Sequence, residues 1–210
     1  MRLRKKPNLA ARMERLAHLI ISDPAALRGI WARKFGYEML YVEIGCGKGQ
    51  FTVETASQNP DILFIGLEKT GDAMINAVES AHNEGLKNLR FINANADNFS
   101  DYFAENEILR IYINFCDPWP SNRHIKRRLT SGRFLQMYKN ALCSKGQIRF
   151  KTDNLPLFEY SLREFEFCGF STIKEVRDLH KNGPVGVMTD YERKFYGMGL
   201  PIYAANAEKL

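Results

Sequence analysis

The chain has 210 residues, 45% of them apolar and 26% charged, with a formal net charge of +6. This length suits one domain with its own core, and the composition excludes a disordered, collagen-like or disulfide-scaffold chain. No apolar run approaches the ~20 residues needed to cross a bilayer.

The basic start, MRLRKKPNLAARMERLAHLII, is interrupted by Arg12, Glu14, Arg15 and His18, so it lacks the continuous apolar core of a signal peptide. A cytoplasmic protein with no membrane partner is expected. Cys46, Cys116, Cys143 and Cys168 are widely spaced and form no CxxC or Cys/His cluster. They read as free thiols, with no metal site and no disulfide framework. The positive charge is concentrated in two places, Arg2, Arg4, Lys5, Lys6, Arg12 and Arg15, and then Arg123 to Arg133. Two such clusters point to a nucleic-acid partner.

In chain order, residues 1–36 read as a basic arm, with a helical pattern (Leu9, Met13, Leu16, Ala17, Ile20) that stops near Ser22-Asp23-Pro24. Trp31 and Phe35 are expected to pack this arm onto the rest. Residues 37–210 read as one folded domain without repeats or linkers. Strands are predicted at 40–45, 62–68, 89–93, 109–115 and 146–152, with two more near Ser171–Val176 and Phe195–Ile202. Helices are predicted over Phe51–Ser57, Asp72–Glu84, Gly132–Leu142 and Leu155–Cys168. Short, nearly all-apolar strands separated by helices predict a Rossmann-like, doubly wound, mostly parallel α/β sheet. Such sheets bind ligands beyond the carboxyl ends of their strands.

The first predicted strand runs into EIGCGKGQF, which holds Glu43, Gly45, Gly47 and Gly49. The dinucleotide fingerprint fails because Gln50 stands where a glycine is needed, and the P-loop fails because Gly49 follows Lys48. The second strand ends in Glu68, whose carboxylate is placed to accept from both hydroxyls of a ribose. An acidic strand end repels a pyrophosphate but suits a ligand carrying ammonium and sulfonium charges, which predicts S-adenosylmethionine. Asn95, after the third strand, is a candidate for the adenine edge, though a plain loop fits it nearly as well.

The fourth strand ends in CDPWPSNRHIKRRL, residues 116–129. Pro118 and Pro120 are expected to keep the chain extended and to fix the directions of Asp117 and Trp119. A carboxylate beside an aromatic plane can grip a flat base, one accepting hydrogen bonds and the other stacking. The basic run that follows, Arg123 to Arg128, is then expected to hold phosphates. His124 reads as a phosphate or base contact or as a structural residue, and His18, His82 and His180 as structural or exposed.

With RLRKKPN (2–8), FKTDN (150–154) and MTDYERKF (188–195), these segments resemble the tRNA (guanine-N7-)-methyltransferase family of the bacterial TrmB type, from residue 2 to about 203. The resemblance implies a class I S-adenosylmethionine-dependent methyltransferase fold. It also implies methyl transfer to N7 of guanosine 46 in the tRNA variable loop, with a homodimer known among similar proteins. Carried over by position, it puts cofactor contacts at Glu43, Glu68 and Asn95, with Asp117 at the cofactor–substrate boundary as the catalytic position; the turn glycines Gly45, Gly47 and Gly49 join the cofactor contacts from the reading of the turn itself. It puts tRNA contacts at position 121, here Ser121, and at Asp153, Thr189, Asp190, Tyr191 and Glu192; Arg123 and His124 join them from the reading of the basic run. Three departures stand out: Asn95 where the family commonly has Asp, Ser121-Asn122 where a Lys-Lys pair is usual, and an atypical EKTGD after the ribose acid. Arg123 and Lys126 are the nearest replacements for the missing lysine. Two rival readings are a non-catalytic RNA-binding module and a methyltransferase for another RNA or a small molecule. The intact Glu43, Gly45, Gly47, Gly49 and Glu68 set opposes the first, and the two basic clusters oppose a small molecule.

Overall fold

A computed structural model of the chain describes residues 6–210; Arg2, Arg4 and Lys5 of the first basic cluster lie outside them. The chain divides into two compact units, one running to Phe103 and the other from Ala104 to Leu210.

In the first unit, the arm's predicted single helix is divided. Helix α1 (Leu9–Arg15) is followed by a tight 3-10 turn at Ala17–Leu19 and, further on, by α2 (Trp31–Lys34). The division buries both Leu16 and Leu19. Trp31 is fully buried, and its indole N–H donates to the Tyr102 carbonyl at 2.8 Å. The Arg90 guanidinium lies over the Phe35 ring, 4.6 Å from its centre. The expected packing of the arm is therefore seen.

The unit continues with β1 (Leu40–Ile44), α3 (Gln50–Gln58), β2 (Leu63–Leu67), α4 (Gly71–Asn83), β3 (Leu89–Ile92) and a short α5 (Phe99–Tyr102) that the sequence pattern did not reveal. β1 and β2 pair in parallel, Val42 opposite Ile65, and β2 and β3 in parallel, Gly66 opposite Phe91. Every residue of β1 and β2 is buried, which is why both read as continuous apolar runs. The free side of β3 is met by the arm, where Ile20 bridges Phe91 and the Ile21 N–H donates to the Phe91 carbonyl at 2.8 Å. An edge strand capped in this way presents fewer unpaired backbone groups.

The second unit contains β4 (Ile108–Asn114), a 3-10 turn (Asn122–Arg127), α6 (Gly132–Ala141), β5 (Leu142–Thr152), α7 (Leu155–Phe167), β6 (Phe170–Val176), α8 (Asp190–Gly197) and β7 (Tyr203–Lys209). β4 and β5 are parallel, while β7 runs antiparallel between β5 and β6. Within the two units three of the five strand pairings are thus parallel. Phe150, Phe158, Phe165 and Phe170 form one buried aromatic cluster of this unit.

Two strand boundaries need correction. β5 begins at Leu142 rather than 146, because its pairing with β4 jumps from Leu142 to Gln147 across a bulge in which Lys145 has φ +60°. The predicted strand at Phe195–Ile202 is instead the end of α8 and a loop, and the strand follows at Tyr203. A reciprocal capping box between Thr189 and Glu192 starts the helix there. The true strand, YAANAEK, is short of β-branched residues and is held by ladders on both sides.

Helices α3 and α4 meet at Gly49, which has φ +78°; a Cβ built there would lie 2.1 Å from the Cβ of Ala77. Gly49→Ala should therefore cost at least ~2 kcal/mol through backbone strain and overpacking, seen as a lower urea-unfolding midpoint at unchanged slope.

Candidate active site

On the first unit, the turn after β1 is built from residues at φ +78°, +56° and +78°, namely Gly45, Gly47 and Gly49. The Gly45 N–H donates to the Leu67 carbonyl at 2.8 Å, which holds this turn against the end of β2. Glu68, the next residue after β2, is 8% exposed. One of its carboxylate oxygens accepts from the Gly47 N–H at 3.0 Å and the other from the Thr70 N–H at 2.9 Å. Each oxygen retains a lone pair for another donor. Glu43 is buried at the end of β1 and accepts a hydrogen bond from the Thr52 hydroxyl on α3. Burial, reinforced by the charges of Glu43 and Glu68, pushes the Cys46 thiol well above its ordinary range.

Asn95 is exposed and turned toward Asp97. Its amide N–H donates to the Asp97 carboxylate at 2.6 Å, and its oxygen accepts from the Asp97 N–H at 3.3 Å. Asn93 donates to the Glu68 carbonyl at 2.8 Å, tying the ends of β2 and β3 together. The EKTGD segment also has a structural account. Thr70 supplies an amide to Glu68, Gly71 leaves room for the arm's Met13 and Leu9, and Asp72 accepts from the Lys6 N–H at 2.5 Å. A backbone-fixed carboxylate beside an all-left-handed glycine turn fits a ligand with a ribose diol and a cationic sulfonium. The residues present therefore match S-adenosylmethionine chemically.

On the second unit, β4 runs into Phe115 at φ +50°, and Trp119 has φ +42°. The expectation of an extended chain between the prolines thus fails at Trp119. The guanidinium of Arg128 stabilises the observed path, its Nε donating to the Pro118 carbonyl at 2.9 Å and Nη2 to the Trp119 carbonyl at 3.1 Å. Arg128 is buried and lies 4.4 Å over the Tyr160 ring, so it is an anchor for the loop rather than a phosphate contact. Arg127 lies 5.0 Å over the Trp119 ring, and His124 packs edge-on at 5.6 Å. Trp119 is thus half-buried, with one face met by Arg127 and an edge by His124. Asp117 is exposed and has no hydrogen bond or ion pair among the described residues. Burial, together with the charge of Asp117, pushes the neighbouring Cys116 thiol up to about 12. Ser121, Arg123 and Lys126 are exposed on the 3-10 turn.

Asp153, just after β5, is exposed, while its neighbour Asn154 caps α7 by accepting from the Leu157 N–H at 2.8 Å. The TDYE segment is split in two. Asp190 and Tyr191 are exposed, whereas Glu192 is 0% exposed. The Glu192 carboxylate accepts from the Lys151 ammonium at 2.9 and 3.0 Å and lies 2.8 Å from His180 Nε2. It also accepts from the Thr189 N–H at 3.2 Å, while the Thr189 hydroxyl accepts from the Glu192 N–H at 3.0 Å. In the sequence both residues look like substrate contacts; here they fasten the start of α8. Lys151, which reaches the Val187 carbonyl at 3.0 Å, was not singled out from the sequence. A lysine inside an apolar strand requires a buried partner, and that signal could have found it.

The comparisons with known proteins agree with this chemistry. A family model described as "Putative methyltransferase" (Methyltransf_4) matches residues 37–205. A tRNA (guanine-N(7)-)-methyltransferase of Bacillus velezensis is 44% identical over 99% of this chain and 97% of its own length. The Bacillus subtilis protein of the same name is 42% identical over 99% of each. The chain belongs to the tRNA (guanine-N7-)-methyltransferase family. Among solved structures, the 16S rRNA methyltransferase KamB aligns with a TM-score of 0.63 at 15% identity, covering 99% of this chain and 96% of that one. TrmN from Thermus thermophilus aligns at 0.58 with 22% identity, over 89% of this chain and 52% of that one. These likenesses establish the fold as that of class I S-adenosylmethionine-dependent methyltransferases. No helix among the described residues is long and apolar enough to cross a membrane, and no group of three or more His, Cys, Asp or Glu there could hold a metal ion.

Arg128→Ala removes both clamps on the Pro118-Trp119 carbonyls and should lower stability by about 2 kcal/mol in urea unfolding. Arg128→Lys keeps the charge but not the planar fork, and should recover little of that loss.

Proposed function

We propose that this protein transfers the methyl group of S-adenosylmethionine to N7 of guanosine 46 in the variable loop of tRNA. The observation that carries the reading at the residue level is Asp117. It is an exposed, uncommitted carboxylate on a loop clamped by Arg128, directly ahead of the exposed cations Arg123 and Lys126. The relatives' shared name supplies the reaction class and the tRNA substrate.

Guanine N7 has a free lone pair, exposed on the major-groove edge. It needs no deprotonation before attack, so no general base is required. S-adenosylmethionine, when bound, supplies an electrophilic methyl group. Glu68 would hold its ribose and the Gly45–Gly49 turn would line it, with Glu43 and Asn95 as further contacts. Asp117 would accept from guanine N1–H or the exocyclic amine, orienting the base and offsetting the positive charge that moves onto the purine. Asp153, Asp190 and Tyr191 would complete the base clamp, and Thr189 and Glu192 would keep it in place. Ser121, Arg123 and His124, with the basic arm of residues 1–36, would contact the RNA backbone. The reading extends to a cytoplasmic enzyme, either monomeric or homodimeric.

The test uses methyl-labelled S-adenosylmethionine with a tRNA transcript bearing G46 beside a G46→A transcript. Label should appear only on G46, as 7-methylguanosine; label on both transcripts would overturn the assigned position. Asp117→Asn should lower kcat by roughly 10²–10³, the usual cost of removing a group that stabilises transition-state charge. Near-normal turnover in Asp117→Asn, together with inactivity of Asp153→Ala, would reverse the roles.

A further inference from the structure

Phe115, Tyr191 and Phe195 form a row of nearly parallel rings. The Phe115 and Tyr191 centroids are 6.3 Å apart at 22°, and those of Tyr191 and Phe195 are 6.2 Å apart at 17°. Parallel rings at such separations are offset rather than eclipsed. Tyr191 accordingly keeps open surface and is 60% exposed.

The row is held at a cost. A bulky side chain rarely adopts a backbone like that of Phe115, at φ +50°, and such strain persists only where surrounding contacts impose it. Here the Phe115 N–H donates to the Lys151 carbonyl at 2.8 Å, and the Lys151 ammonium holds Glu192, the residue after Tyr191. One residue thus fixes both ring-bearing segments. Phe115 lies two positions before Asp117, and Tyr191 lies within the TDYE segment. Trp119, the aromatic plane suggested by the sequence, is already engaged by Arg127 and His124.

We infer that the Phe115–Tyr191 ring pair is the stacking platform for the guanine that is methylated. The inference rests on the reading above and adds the surface that receives the base once it leaves the RNA stack. A base drawn into an active-site pocket leaves its stack, and an aromatic face compensates for the stacking lost. Methylation at N7 leaves the purine cationic, and the electron-rich face of a tyrosine ring attracts a cation. The platform therefore favours the charged purine over the neutral one.

The experiment measures kcat and KM for tRNA methylation in Tyr191→Phe, Tyr191→Leu, Tyr191→Ala and Phe115→Leu, with S-adenosylmethionine affinity and Tm measured alongside. Tyr191→Phe keeps the ring and should stay near wild type. Tyr191→Leu and Tyr191→Ala should lose roughly 5- to 150-fold in kcat/KM, the range expected for one base–aromatic stack. Part of that loss should fall on kcat, and cofactor affinity and Tm should hold. Phe115→Leu should show a smaller loss in the same direction. Tyr191→Leu as active as wild type would overturn the inference, since any apolar side chain would then suffice. Tyr191→Phe as weak as Tyr191→Ala would also overturn it, by pointing to the hydroxyl. A wild-type protein that methylates no tRNA would instead defeat the proposed function itself.

Discussion

Three glutamates, Glu43, Glu68 and Glu192, are buried, and a carboxylate withdrawn from water must be hydrogen-bonded or paired. Much of the local architecture within each unit follows from how each is satisfied. Glu68 takes backbone amides from Gly47 and Thr70, which requires the glycine turn to pass beside the end of β2. Glu43 takes the Thr52 hydroxyl and so fixes α3 against β1. Glu192 takes Lys151 and the Thr189 amide, with His180 alongside, which fastens α8 and the segment before it to β5. Each buried acid thereby converts the end of a strand into a loop of fixed direction.

The exposed acids behave differently. Asp117 and Asp153 follow the carboxyl ends of β4 and β5, Asp190 opens α8, and all three are open to solvent. The basic run divides in the same way. Arg128 is buried under the Asp-Pro-Trp-Pro loop and Arg127 lies on Trp119, while Arg123 and Lys126 remain at the surface. A row of like charges in the sequence therefore contains both an anchor and surface cations, because the Arg128 guanidinium meets the main-chain carbonyls of Pro118 and Trp119 while Arg123 and Lys126 face solvent.

The departures from the family pattern have local meanings. At position 95 an amide both donates to and accepts from Asp97, whereas an aspartate would set two carboxylates against each other. Ser121 and Asn122 begin the exposed 3-10 turn, where the nearby positive charge comes from Arg123 and Lys126. Gly71 in the EKTGD segment is where the arm packs closely, with a built Cβ 3.2 Å from the Met13 methyl.

The sequence by itself determined the strand and helix alternation, the glycine turn and the acid after β2, because buried parallel strands are short apolar runs and turns with positive φ favour glycine. It also carried the family, through segments whose residue types have few other uses together. It did not determine the last strand, whose small and polar residues are held by neighbours on both sides rather than by their own propensity. Nor did it separate Glu192 from Asp190, or Arg128 from Arg123, since residues of the same charge differ only in what surrounds them. Those assignments were decided by tertiary structure: Glu192 and Arg128 meet partners on other segments and are buried as scaffold, while Asp190 and Arg123 stand at the surface, within reach of a substrate.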